Sequence, residues 1–189
     1  EYGQDTLNLR RARMEYGGQA VCHDIEHRVR LEGLQPGGKY FYRVCAQEIL
    51  HYAAYSKVLG DTQVTDFYSF QLPEEGQEDF TALIFNDLHR NPETIKLMSE
   101  LAGSIPHDFV LFNGDCIPDP ASREDAMYML HRLASAFHAE EIPAIFVRGN
   151  HEIRNFHSAA LPSLLDQPGG KTYGAFSWGD TRFVVLDCG

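Results

Sequence analysis

Three short polar clusters follow three apolar runs in the second half of the 189-residue sequence. Asn-Asp-Leu-His occupies positions 86–89, Asn-Gly-Asp occupies 113–115, and Arg-Gly-Asn-His-Glu occupies 148–152. Carboxylates, imidazoles and amide oxygens bind divalent metal ions, so the clusters have the composition of a metal site. Each cluster alone is weak, because Asp-x-His arises by chance, Gly-Asp is a common turn, and Gly-Asn-His-Glu can simply end a strand. Their order and regular placement favour one shared site.

The apolar runs that precede the clusters, at 80–85, 109–112 and 144–147, are short enough to be buried strands. Apolar spacing between them predicts helices over 92–102 and 122–139, the first with a proline near its start. Alternating strands and helices predict a parallel sheet that is covered by helices. Ligand sites in such sheets form beyond the carboxyl ends of the strands, where all three clusters would converge.

The two ends of the sequence predict β-structure. Turn residues at 178–181 between two apolar segments predict a hairpin near the carboxyl terminus. In the N-terminal part, 27–31 and 40–45 alternate polar and apolar residues, and 66–72 is interpreted as a final strand. The stretch 47–65 is long for a strand connection, and we interpret it as a short helix or an ordered loop.

The N-terminal part also carries a sandwich signature. A Leu-x-Pro turn followed by Tyr40 resembles the corner of fibronectin type III and immunoglobulin-like sandwiches, in which a tyrosine bonds back to the turn. Only four or five of the about seven strands of such a sandwich are recognisable. Polar, acidic residues at 74–79 predict a linker, which divides the chain into domains 1–73 and 80–189.

Composition excludes some partners and leaves others open. The formal net charge is −11, which disfavours non-specific binding to nucleic acid or anionic membranes but allows phosphate binding through metal ions. No apolar run approaches the ~20 residues of a membrane span. The four cysteines form no CxxC pair, so a thiolate zinc site is not expected. Cys22 and Cys45 are either a disulfide or two free thiols.

The motifs Asp-x-His at 87–89, Gly-Asp at 114–115 and Gly-Asn-His-Glu at 149–152, in this order, resemble the calcineurin-like metallophosphoesterase superfamily. The resemblance covers about residues 80–189, and a preceding sandwich is similar to the layout of purple acid phosphatases and related bacterial phosphohydrolases. It implies an α/β fold of the α+β sandwich type, as half of a metallophosphoesterase domain after a small all-β fibronectin III-like sandwich. It also implies metal-dependent hydrolysis of small phosphomonoesters or phosphodiesters, in a periplasmic or secreted protein.

The resemblance implies a role for each site residue. Asp87 and His89 would bind the first of two divalent metal ions, Asp115 would bridge both, and Asn150 would bind the second. His151 would be no ligand but would face the substrate phosphate as a proton donor or charge stabiliser. Two metal ions can clamp both sides of an in-line attack at phosphorus. Purple enzymes carry a tyrosine shortly after Gly-Asp, and its absence here implies Mn, Zn, Fe(II) or Mg rather than a coloured Fe(III) centre.

Further residues around the third motif are interpreted as supports, since Glu152 and Arg154 could hold the histidine loop. The family completes its site with a later histidine and a Gly-His-x-His motif, and neither follows in these 189 residues. We therefore expect a chain shortened at both ends, without one ligand of the first metal and two of the second, and with little or no catalysis of its own. The alternative is a non-catalytic extracellular binding module that retains the fold.

Overall fold

The computed structural model describes residues 1–22, 26–165 and 171–187. The chain divides into two compact units, Glu1–Glu74 and Glu75–Gly189. The first unit is rich in strands, and the second mixes helices with strands. Within the described ranges, no helix is long and apolar enough to cross a bilayer.

The first unit is organised around a small antiparallel sheet. Its strands are β1 (Tyr2–Gly3), β2 (Glu15–Tyr16), β3 (Gln19–Ala20), β4 (Lys39–Tyr42), β5 (Cys45–Ala53), β6 (Ser56–Val64) and β7 (Tyr68–Gln71). β4 lies between β1 and β7. Tyr40 on β4 is buried, and its hydroxyl accepts a hydrogen bond of 2.7 Å from the Gln35 backbone N–H. The bond from this tyrosine back to its preceding turn is thus present, while the fibronectin III-like identity stays a prediction.

Two local predictions for the first unit are wrong. The stretch 47–65, interpreted as a helix or loop, belongs to a long antiparallel hairpin of β5 and β6. Register shifts between Gln47 and Ile49, and between Ile49 and His51, break the period-2 pattern that would reveal a strand. Residues 27–31 form no strand in spite of their alternation, because alternation needs a partner strand to become a sheet.

The two cysteines of the first unit, Cys22 and Cys45, are exposed free thiols. Of the two alternatives that the sequence leaves open, a disulfide or two free thiols, the structure has the two free thiols.

The second unit alternates strands and helices, as predicted. Its elements are β8 (Ala82–Phe85), α1 (Pro92–Gly103), β9 (Phe109–Asn113), α2 (Arg123–Ala136), β10 (Ala144–Val147), α3 (Leu161–Leu165), β11 (Gly174–Trp178) and β12 (Thr181–Val185). β8, β9 and β10 form a parallel sheet with β9 at its centre. Asn91 and Ser122 begin the two long helices, because their side chains accept hydrogen bonds from the first helical N–H groups.

The central strand β9 is buried on both faces, since its side chains alternate between two apolar layers. Val110 and Phe112 face the helices, where they pack in a cluster that includes Met129 and Leu133. Phe109 and Leu111 face the predicted hairpin, which β11 and β12 form, and pack there with Trp178. β9 is therefore fixed from both sides, and so is the start of the loop that follows it.

Candidate metal centre

The three polar clusters meet at the carboxyl edge of the sheet, because β8, β9 and β10 run parallel. The loops after β8 and β9 are joined by their backbones. The Asp87 N–H donates to the Gly114 carbonyl at 3.2 Å, and the His89 N–H donates to the Asp115 carbonyl at 3.0 Å. These bonds fix the Asp-x-His motif against the Gly-Asp motif residue by residue.

Three of the predicted site residues have left-handed backbone conformations. The φ angles are 54° at Asp87, 49° at His89 and 55° at Asp115. Such angles are uncommon outside glycine, although Asp and His adopt them more readily than most residues. Backbone strain of this kind clusters at functional sites, where the surrounding structure must hold it in place. The left-handed conformations therefore indicate that the loops after β8 and β9 form a functional site in which these side chains are held in position.

The glycines of the second and third motifs allow the two loops to approach closely. A Cβ atom on Gly149 would lie 2.5 Å from Asp115 Oδ1 and 2.8 Å from the Asp115 backbone nitrogen. One on Gly114, whose φ is +93°, would lie 3.0 Å from the Cα of Gly149. Any side chain at either position would push the loops apart. The two glycines thus keep Asp115 against the loop that carries Asn150 and His151.

Glu152 links the same two loops through hydrogen bonds from their backbones to its carboxylate. Its side chain is 2% exposed, and its carboxylate accepts four backbone hydrogen bonds. Asp115 and Gly149 donate to Oε2 at 2.9 and 2.8 Å, and Cys116 and Ile117 donate to Oε1 at 2.7 and 2.6 Å. A buried carboxylate is stable only with such hydrogen-bond donors. The burial of Glu152 therefore depends on the conformation of the two loops, and the hydrogen bonds in turn hold that conformation.

The loops bring together a set of nitrogen and oxygen donors. His89, Asp115 and His151 each offer a ligand atom, and these atoms lie within 4.8 Å of one another. The two imidazole rings are nearly perpendicular, at 83°, with centroids 4.7 Å apart. Asp87 Oδ1 lies 3.7 Å from His89 Nε2. Imidazole and carboxylate donors in one cluster fit a first-row divalent cation, and so the chemistry of the donor set agrees with a metal site.

Asn150 lies beside Asp115, with its amide oriented by hydrogen bonds. One end of the amide lies 2.8 Å from Asp115 Oδ2 and the other lies 2.5 Å from Arg154 Nη2; without a cation, hydrogen bonding assigns the nitrogen to the Asp115 end and the oxygen to the Arg154 end. The His151 backbone N–H donates to the other Asp115 oxygen at 2.8 Å. All five predicted site residues thus converge, while their separate roles stay predictions. The opposite amide orientation, with the oxygen on the Asp115 side, is the one that would bind a metal ion.

Asp119 is a site residue to which sequence reasoning assigned no role. Its carboxylate oxygens lie 3.4 Å from His151 Nδ1, and its backbone N–H donates to the His151 carbonyl at 3.1 Å. A carboxylate next to one imidazole nitrogen orients the ring. The sequence signal that could have identified Asp119 is that a second aspartate follows Asp115 by four positions. That signal is weak, because an aspartate at such a position is equally typical of a turn.

Cys116 occupies the segment in which the purple enzymes carry tyrosine. Its side chain is 2% exposed, and its Sγ donates to the Gly114 carbonyl at 3.3 Å. Burial raises the pKa of the Cys116 thiol to about 12. The residue therefore behaves as a small buried group, and no phenolate is available near Asp115 in its place.

Arg90, the residue after His89, connects the first site loop to α2. Its Nη1 and Nη2 donate to the two carboxylate oxygens of Asp125 at 2.7 and 2.6 Å, and Nη2 also donates to the Pro118 carbonyl at 3.1 Å. The hydrogen bond from Arg90 lowers the pKa of Asp125, and the same bond raises the pKa of Arg90. The pair holds the loops after β8 and β9 in their mutual position from the solvent side.

The lowered pKa of Asp125 predicts a pH-dependent contribution to stability. It is fully present above the unfolded-state pKa of about 3.9 and is lost as the pH falls through the lower folded-state pKa. We expect Asp125→Asn to lower the free energy of unfolding by about 1 kcal/mol at pH 6 and much less at pH 2.5, since the pair is partly solvated. Urea unfolding of both proteins at the two pH values measures this difference. An equal difference at both would exclude the charge as its cause.

The calcineurin-like phosphoesterase family model matches residues 80–184. No curated protein sequence matches the chain significantly. The structure of a purple acid phosphatase from yellow lupin (Lupinus luteus) seeds is similar with a TM-score of 0.58, at 17% sequence identity, over 84% of this chain. The match spans 31% of the lupin protein, and at this identity it shows a shared fold.

Proposed function

This chain belongs to the calcineurin-like phosphoesterase family, and from that membership we propose that the protein that carries this domain hydrolyses phosphate esters at a binuclear metal centre. The observation that carries the proposal is the convergence of two metal-binding side chains, His89 and Asp115, with the imidazole of His151; one donor atom from each of the three lies within 4.8 Å of the others. The substrates are small phosphomonoesters or phosphodiesters. A net charge of −11 supports a metal-assisted site rather than a basic one for these anions.

In this proposal Asp87, His89, Asp115 and Asn150 would hold two divalent cations. Asp115 would be the group suited to bridging, because its carboxylate has two oxygens and lies in one cluster with His89 and His151. When bound, the cations neutralise charge on the phosphoryl oxygens and activate the attacking water. The lack of a tyrosine after Asp115 supports Mn, Zn, Fe(II) or Mg.

His151 acts on the substrate in this proposal, with Asp119 as its positioning residue. The backbone N–H of His151 is held by Asp115 at 2.8 Å, and Nδ1 faces the Asp119 carboxylate at 3.4 Å. Nε2 is proposed to carry a proton toward the leaving oxygen, which requires Arg154 Nη1, now 3.1 Å from Nε2, to turn away from it. General acid catalysis of this kind contributes about 10²–10⁴-fold to a rate.

We expect His151→Gln to lower the hydrolysis of p-nitrophenyl phosphate about a hundredfold while it leaves Mn²⁺ affinity unchanged, because the ring serves the substrate and not the metal. Calorimetric titration with Mn²⁺ and steady-state rates of the protein that carries this domain measure the two effects. His138→Gln, at an exposed histidine beside Glu140, is the matched control. Loss of Mn²⁺ binding in His151→Gln would make His151 a ligand. Metal binding without hydrolysis in the unmodified protein would favour a binding module.

The first unit is proposed to be a fibronectin III-like module. The bond between Tyr40 and the Gln35 backbone supports this assignment. A module of this kind before a phosphoesterase domain also supports a periplasmic or secreted location. Fractionation of cells that produce the protein tests the location, and recovery in the cytoplasmic fraction alone would contradict it.

A further inference from the structure

Arg154 lies at the metal centre without being a possible metal ligand. Its backbone N–H donates to the His151 carbonyl at 3.2 Å, and this turn points the side chain back over the histidine. Nη1 lies 3.2 Å from His151 Nδ1 and 3.1 Å from Nε2, and Nη2 lies 2.5 Å from the end of the Asn150 amide to which hydrogen bonding assigns the oxygen. The guanidinium therefore touches two of the five predicted site residues while its side chain stays exposed to solvent.

The charge of Arg154 is not neutralised by a carboxylate. Two other arginines of this unit near the site are paired: Arg90 with Asp125 at 2.6 Å, and Arg148 with Asp187 at 2.5 Å. In the described part of the chain Arg154 contacts only the neutral amide and the imidazole. An unpaired guanidinium at a solvent-open site in a chain of net charge −11 is available for an anion.

Metal binding would increase this availability. The amide orientation that serves a cation has the Asn150 oxygen on the Asp115 side and the Asn150 nitrogen toward Arg154 Nη2, so that Arg154 has no acceptor at Asn150. Arg154 would then have donors directed at the site with no protein acceptor in place. A guanidinium has the fork geometry that matches two phosphate oxygens.

The number of free oxygens distinguishes the two ester classes. A phosphomonoester has three unesterified oxygens and up to two negative charges, whereas a phosphodiester has two such oxygens and one charge. A positively charged side chain that does not bind the metal ions can donate a hydrogen bond to the additional oxygen of the monoester. It is also attracted by the second negative charge. On the basis of the proposed function, we propose that Arg154 binds an unesterified oxygen of the substrate phosphate and makes the site selective for phosphomonoesters.

The test compares Arg154→Gln and Arg154→Lys with Arg182→Gln, which removes an exposed arginine from the hairpin of the same unit. Two kinds of measurement are made on the Mn²⁺-loaded protein. Calorimetry gives the affinities for inorganic phosphate and for Mn²⁺. Kinetics gives kcat/KM for p-nitrophenyl phosphate and bis(p-nitrophenyl) phosphate.

We expect Arg154→Gln to weaken phosphate binding and to lower kcat/KM for the monoester by about 10–100-fold, as for loss of a hydrogen bond from a charged group. The diester value should change by less than about threefold, and Mn²⁺ affinity should not fall. Arg154→Lys should recover part of the phosphate affinity, and Arg182→Gln should match the unmodified protein.

Three results would overturn the assignment of Arg154: unchanged phosphate affinity in Arg154→Gln, equal losses for both esters, or a loss of Mn²⁺ affinity. The last two would indicate that Arg154 positions His151 or Asn150. If the unmodified protein hydrolyses neither ester, the proposed function fails, and the phosphate affinities alone decide whether Arg154 binds the anion.

Discussion

Replacement of Asp115 by asparagine is expected to weaken Mn²⁺ binding more than about a hundredfold, because loss of a direct ligand exceeds the 10–100-fold effect of outer partners. Asp115 is 9% exposed as a residue, and its two carboxylate oxygens lie 2.8 Å from the His151 backbone nitrogen and 2.8 Å from the Asn150 amide. Asparagine retains its shape but not its charge. The Asn150 amide can turn round to accept a hydrogen bond from the new side chain, so the metal-free fold should persist.

Unfolding with and without Mn²⁺ separates loss of metal from loss of fold. At a Mn²⁺ concentration of a hundred times Kd, the unmodified protein should gain about 2.7 kcal/mol, and Asp115→Asn should gain almost none. Asp108→Asn is the matched control, since Asp108 lies just before β9, at the opposite end from Asp115, and accepts from the Thr81 N–H. Full Mn²⁺ stabilisation in Asp115→Asn would remove Asp115 from the metal site.

Replacement of Glu152 by glutamine is expected to lower the free energy of unfolding of the second unit by about 4 kcal/mol. The new amide group must take the place of one carboxylate oxygen, and each oxygen accepts two backbone N–H groups. Two buried donors then lose their acceptor, at a cost of about 1–3 kcal/mol each. Mn²⁺ affinity should also fall about tenfold or more, because the same bonds hold Asp115 against the loop of Asn150 and His151.

Urea unfolding measures the first effect, and Mn²⁺ titration of the folded variant measures the second. Glu100→Gln is the matched control, since Glu100 is 61% exposed in its side chain and lies 3.8 Å from Lys96. Its stability should remain within about 0.5 kcal/mol of the unmodified protein. If Glu152→Gln does not fold, Glu152→Asp retains the charge and allows the comparison. An unfolding midpoint of Glu152→Gln equal to that of the control would contradict the role of Glu152.

The architecture of the second unit could be predicted well from the sequence. The apolar runs, the helical spacing and the proline near the start of the first helix are local signals, and the elements form where those signals indicate. The match of the family model to residues 80–184 confirms the resemblance inferred from the three motifs. The first unit was less predictable, because the register shifts in β5 and β6 interrupt the alternation from which strands are recognised.

The sequence by itself determined which residues meet. Parallel strands end at one edge of a sheet, so the order of the three clusters was enough to bring together the five predicted site residues, Asp87, His89, Asp115, Asn150 and His151. Only the tertiary structure decided how they are held. The left-handed backbones, the four bonds to Glu152, and the contacts of Asp119 and Arg154 depend on the approach of separate loops. Glu152 is 37 positions from Asp115, and no local pattern encodes a contact that forms only after the sheet has assembled.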